Sequence, residues 1–204
     1  MFVVLAVAIV AGAIFGLATG GRVSCLARVR LRGLGLLVVG AGAQALVLGR
    51  VVSVHGWVAM AVLLGAYVLL AAFAAANLGR GGMGVVLTGI ALNAIPIAVN
   101  RGMPVEAGAI VRARIASAQE IPLLDFGAKR HLAGSGDHLR ILDDRFPEWI
   151  THHVLSFGDL VIGVGVGAVT SGLLHPSTGR RRKRSPAHPS LGGKGAETVA
   201  AAAG

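Results

Sequence analysis

The sequence predicts an all-α fold: a polytopic transmembrane helical bundle of about five spans, with an extracytoplasmic loop between the last two. Three observations predict it. Hydrophobic residues make up 54% of the 204, charged residues only 14%, and the mean hydropathy is +0.75, a mixture far from that of a soluble domain. Five apolar runs are read as long enough to cross a hydrocarbon core, which takes about 20 helical residues, the second being the shortest. None of them alternates apolar with polar residues as a barrel strand does, and a helix satisfies its own backbone groups in lipid.

The runs are Phe2 to Thr19, Leu34 to Leu48, Trp57 to Leu78, Met83 to Asn100 and Leu155 to Leu174. They divide the chain into helices 1 to 4 over residues 1–100, a loop over 101–153, a fifth helix over 154–175 and a tail over 176–204. No positive residue precedes the first run, and "GLATGG" lacks a small-x-small cleavage pattern, so that run is read as a retained helix rather than a signal peptide. Cys25 is the single cysteine; flanked by Arg22 and Arg28, it reads as a cytosolic thiol and permits no disulfide framework. Gly12, Gly16 and Gly20 on the first helix, and Gly163, Gly167 and Ser171 on the fifth, have the small-x3-small spacing that lets helices approach closely.

In the fourth run, "GIALNAIPIAVNRGMPV", Asn93 and Pro96 interrupt an apolar helix. A proline removes a backbone donor and an asparagine amide needs partners that lipid does not offer, so both are expected to face other helices. Gln44 and Asn77 are read the same way. After Asn100, Pro104 and Glu106 suit the first turn of a new helix reaching about Gln119, with Ile110, Val111, Ile115 and Ala118 on one stripe. That helix lies flat on the outer membrane surface or packs on its own domain.

Charge sets the orientation. The first loop carries Arg22, Arg28, Arg30 and Arg32, and the tail carries Arg180, Arg181, Arg182, Lys183 and Arg184. Short basic segments stay cytoplasmic, which puts the N-terminus outside, the tail inside and the long loop on the extracytoplasmic face of a multi-pass cell-membrane protein. No acidic residue occurs before Glu106, and only Glu197 follows Asp159, so the net charge of +10 is concentrated on the cytoplasmic side. The expected partners are the lipid bilayer, with anionic lipids at Arg180 to Arg184, and a membrane protein or a second copy of the chain. "GRRRKRS" has no interleaved aromatics and belongs to no nucleic-acid fold, so no nucleic acid is expected. The Pro-, Gly-, Ser- and Ala-rich tail beyond it reads as disordered.

"NRGMPV" (Asn100 to Val105), "LDDRFP" (Leu142 to Pro147) and "SFGD" (Ser156 to Asp159) resemble, in that order, the hallmark blocks of the bacterial membrane proteins grouped as domain of unknown function family 5317. The resemblance covers about the first 175 residues and carries over Asn100, Met103, Pro104, Asp144, Pro147, Ser156, Gly158 and Asp159 as signature positions. Asp143 stands where that family usually has glycine, and Arg145 and Phe146 replace isoleucines. The resemblance implies no reaction.

Three function classes follow from the residues. An accessory or scaffold component of the bacterial envelope needs only the bundle and its loop. A hydrolase acting at the outer face would use Asp144 and Asp159 as a carboxylate pair sharing a proton. Against that, Ser156 and Asp159 have the S-x-x-D spacing of a helix capping box. A small transporter would need polar residues lining a path, and the spans hold no mid-membrane charge to couple ions. His131, His138, His152 and His153 share the long loop with several aspartates and are weak metal candidates, since none has a helix-spaced partner. No cofactor fingerprint, phosphate loop or triad is present, so no cofactor is expected and enzyme status stays open.

Overall fold

A computed structural model describes residues 2–48, 56–127 and 129–176. Five long helices form one layer: α1 (Phe2–Ala18), α2 (Leu34–Leu48), α3 (Gly56–Ala76), α4 (Met83–Asn100) and α6 (Phe157–Leu173). A short helix, α5 (Ala107–Arg112), lies between α4 and α6 in the chain. Neighbouring helices pack in the spatial order α1, α6, α4, α3, α2, so the last helix is inserted between the first and the fourth. Leu63, Tyr67, Ala74, Ile90, Ile97, Met103 and Ile162 form the core of this layer.

Glycines let the helices approach. A Cβ on Gly12 would collide with the carbonyl of Gly167, and one on Gly16 would come within 3.1 Å of the Ser171 backbone, which binds α1 against α6. On Gly163 it would lie 3.0 Å from Val4. Gly20 differs: at φ 92 it has nothing within 4 Å and serves the turn after α1.

The expected five-span, all-α bundle is corrected on two counts. Among the described residues, only Gly56–Ala76, with 21 residues, and Met83–Asn100, with 18, are long and apolar enough to cross a membrane. Within the described residues, the apolar helices α1, α2 and α6, with 17, 15 and 17 residues, are shorter than either. Apolar composition is therefore legible in five runs, but among the described residues spanning length belongs to two. The second correction is that residues 101–156 are not helical loop alone.

They form a cap with four short strands. β1 (Met103–Val105) runs parallel to β2 (Arg130–Leu132), with Met103 opposite Arg130 and Val105 opposite Leu132. β3 (Phe146–Glu148) and β4 (His153–Leu155) form an antiparallel hairpin in which Pro147 faces Val154. A bridge from Val105 to Asp144 connects β1 to the segment leading into β3. The cap has its own core of Val105, Ala109, Ile110, Ala113, Ile121 and Val154.

Pro104 thus lies in a strand and not in the first turn of a helix. α5 ends at Arg112 rather than near Gln119, because Arg114 takes a left-handed φ of 56 that a helix cannot continue through. Ile110 is buried in the cap, while Val111 and Ile115 are exposed, so the four expected stripe residues do not share one environment. The tail over 177–204, with Arg180 to Lys183 and Arg184, lies outside the described residues.

Candidate functional site

The cap meets the helical layer at the C-terminal end of α4 and the N-terminal end of α6, and there the polar residues converge. Ser156 is the N-cap of α6: its Oγ accepts from the Asp159 amide at 3.0 Å, and its own amide donates to Asp159 Oδ2 at 3.3 Å. This reciprocal capping box satisfies free donors of the first helical turn and sets a carboxylate on the positive end of the helix. Asn93 of α4 completes it. Its Nδ2 donates to Asp159 Oδ1 at 2.8 Å, and its Oδ1 accepts from Ser156 Oγ at 2.5 Å.

All three side chains are buried, so each bond satisfies groups that water cannot reach. Gly158 makes room for the arrangement, because a Cβ there would overlap Asn93 Oδ1 and lie 2.8 Å from the Gly89 carbonyl. Pro96, about one turn along α4, is also fully buried.

Asp144 reaches the same junction from the cap. Its backbone is held by β1: its amide donates to the Pro104 carbonyl at 2.9 Å, and its carbonyl accepts from the Glu106 amide at 3.0 Å. Arg130 on β2 donates from Nε to Asp144 Oδ2 at 2.6 Å and from Nη2 to the Val154 carbonyl at 3.0 Å. Lys129 is buried at 8% exposure, with its ammonium 5.9 Å from the centroid of the Tyr67 ring of α3.

Two cations, Lys129 and Arg130, therefore accompany the two carboxylates, Asp144 and Asp159, inside the joint. Burial pushes the Asp144 carboxyl above the usual range, with Asp159 adding to the effect and Arg130 and Lys129 opposing it. Burial alone disfavours the Lys129 ammonium, but Tyr67, Asp159 and Asp144 outweigh it and hold its pKa above the ordinary lysine value. Such a group is stable when its charges balance and costly when one member is lost.

Met103, Asn100 and Pro147, from the same sequence blocks, have the following places. The Met103 amide donates to the Lys129 carbonyl at 2.7 Å. Asn100 clasps the backbone of His138 through both amide atoms, at 2.9 and 2.8 Å, fixing the end of α4 to the cap. Pro147 sits in β3 opposite Val154.

The histidines are dispersed. His131 Nε2 is 2.9 Å from Asp137 Oδ1, His152 Nδ1 is 3.0 Å from the Ala113 carbonyl, and His153 Nδ1 is 2.7 Å from the Thr151 carbonyl. Among the described residues, no three His, Cys, Asp or Glu side chains are grouped to hold a metal ion.

Sequence reasoning singled out Asp144, Asp159, Ser156 and Asn93 but missed Lys129, Arg130 and Tyr67. One available signal was Tyr67 itself, the only tyrosine, placed in the middle of an apolar run. A phenol in such a helix calls for a polar partner. Lys129 and Arg130 carried no comparable mark, since basic pairs in loops are ordinarily solvated.

Compared with protein families, residues 28–170 match one family model, described as a family of unknown function, DUF5317. No curated protein and no solved structure matches the chain.

Proposed function

Since the chain belongs to the DUF5317 family, whose function is unknown, we propose from its own residues that it is a membrane-embedded accessory or scaffold protein of the bacterial envelope. The α3–α4 hairpin crosses the bilayer, and α1, α2 and α6 pack in the same layer. The arginine-rich end faces the cytoplasm and the cap faces outside. Exposed apolar side chains around the helices, among them Val7, Val38, Val68 and Val164 at 61 to 69%, support a lipid surrounding.

The observation that carries the scaffold reading is the commitment of Asp159. One of its oxygens is bonded to Asn93 and the other to the Ser156 amide, at 5% exposure. A carboxylate so engaged is a fastener between α6, α4 and the cap. A second reading, hydrolysis by an Asp144–Asp159 pair, is favoured by one observation only, the upward shift of the Asp144 carboxyl, which burial causes and Asp159 adds to.

Asp144→Asn and Asp159→Asn distinguish the two. In the scaffold reading each variant lowers the thermal midpoint of the detergent-purified protein and opens the cap to protease. Variants that keep wild-type stability and protease resistance would overturn it and favour the hydrolase.

A further inference from the structure

At the end of the helical layer opposite the cap, α1, α3 and α6 finish and α2 and α4 begin. Arg22, Arg28, Arg30 and Arg32 are exposed there, and Arg80 is half-buried. Three residues, Leu174 after α6 and Asn77 and Arg80 between α3 and α4, hold this segment by its backbone. The Arg22 amide donates to the Leu174 carbonyl at 2.7 Å; the Asn77 side chain bonds the Arg32 amide at 3.0 Å and its carbonyl at 2.9 Å; and Arg80 Nη2 donates to the Arg30 carbonyl at 2.5 Å. The arginines are thus fixed across the end of the layer rather than strung along a free loop.

None of the five forms an ion pair among the described residues, and no Asp or Glu precedes Glu106 in the chain. Every carboxylate of the cap lies at the far end of the helices. Between the guanidiniums, the 3-10 turn Val23–Arg28 exposes Val23 at 63% and Leu26 at 45%, and Leu34 and Leu78 continue the apolar surface at 51 and 52%. A merely solvated loop would bury or lack such side chains. Aliphatic groups beside unpaired guanidiniums match the boundary of a leaflet, where acyl chains meet phosphates.

We infer that this end of the layer is a headgroup-binding face for anionic phospholipids, with Arg22, Arg28, Arg30, Arg32 and Arg80 engaging phosphates of the adjoining leaflet. The inference rests on the membrane reading above and adds lipid selectivity to it. Guanidinium suits the task because its planar fork donates two bonds to one phosphate. Val23 and Leu26 seat the turn at the acyl boundary and hold the arginines at headgroup depth.

The test uses the full chain in a neutral detergent, with thermal unfolding followed after addition of phosphatidylglycerol, phosphatidylcholine or inorganic phosphate. Phosphatidylglycerol is expected to raise the midpoint by several degrees, phosphatidylcholine by clearly less and inorganic phosphate not at all. A triple variant, Arg28→Gln, Arg30→Gln and Arg32→Gln, preserves the backbone anchors and loses about half or more of the phosphatidylglycerol increment. A variant with Arg180, Arg181, Arg182, Lys183 and Arg184 changed to Gln keeps most of it.

Equal responses to the two lipids, or a triple variant that responds as the wild type does, overturn the headgroup face while membrane insertion stands. A response to inorganic phosphate as large as that to phosphatidylglycerol overturns the lipid assignment. A protein that stays in solution without detergent and ignores both lipids overturns the membrane reading itself. Should the triple variant not fold, the comparison is read on Arg28→Gln alone, whose side chain makes no bond among the described residues, with a smaller but measurable loss expected.

Discussion

Asn93 Nδ2 donates to Asp159 Oδ1 at 2.8 Å, tying α4 to α6 inside the joint beneath the cap. The same amide accepts from Ser156 Oγ through Oδ1. Asn93→Leu takes the acceptor from the buried Ser156 hydroxyl proton and the side-chain donor from one buried Asp159 oxygen, and should destabilise the protein by about 2–4 kcal/mol. Thermal unfolding in detergent measures this, and Asn93→Asp should be at least as damaging because it sets a second carboxylate against Asp159.

Gly158 is placed where any side chain would strike Asn93, whereas Gly172 on the same helix has nothing within 4 Å. Gly158→Ala should therefore cost about 1–3 kcal/mol by overpacking. Gly172→Ala should be neutral or stabilising by up to about 1 kcal/mol. Equal midpoints for the two variants would show that the α4–α6 contact is looser than its geometry.

Asp143 is fully buried, neither carboxylate oxygen has a hydrogen-bond partner among the described residues, and burial, aided by Asp137 and Glu106 against Arg140 and Arg145, pushes its pKa up to about 6. An acid raised on folding favours the native state while protonated. Its contribution is complete below its ordinary value of 3.8 and is lost as the pH rises through about 6. Asp143→Asn should raise stability at pH 7.5 by about 1–3 kcal/mol and change little at pH 4. Unfolding midpoints at the two pH values decide it.

Arg130 and Arg145 form ion pairs of equal length, 2.6 Å to Asp144 and to Glu106, but in different surroundings. Asp144 is 2% exposed and Glu106 29%. Removing Arg130 strands a buried charge, so Arg130→Leu should cost about 3–5 kcal/mol and expose the cap to protease. Arg145→Leu should cost about 1 kcal/mol or less, since water replaces the lost partner. Proteolysis rates of the two variants give the comparison directly.

Local signals in the chain were enough to locate the five long helices, though not the bounds of α5. The apolar runs starting at Leu34 and Met83 begin and end where α2 and α4 do, because apolar composition over a dozen or more residues is a property of the segment itself. The capping box is equally local, with Ser156 and Asp159 three residues apart. Family membership was legible for the same reason, since short blocks such as "SFGD" can be read without knowing what they touch.

Tertiary structure decided the rest. β1 and β2 are three-residue strands some 25 positions apart, and the parallel pairing of Met103 with Arg130 has no local mark in either. Lys129 and Arg130 look like solvated loop residues until that pairing carries them against Asp144 and Tyr67. The number of membrane-length helices likewise depended on where each helix ends, which is set by turns such as the left-handed Gly20 and not by hydropathy. Composition fixes what a segment prefers to bury; which buried group meets which is settled by contacts between residues far apart in the chain.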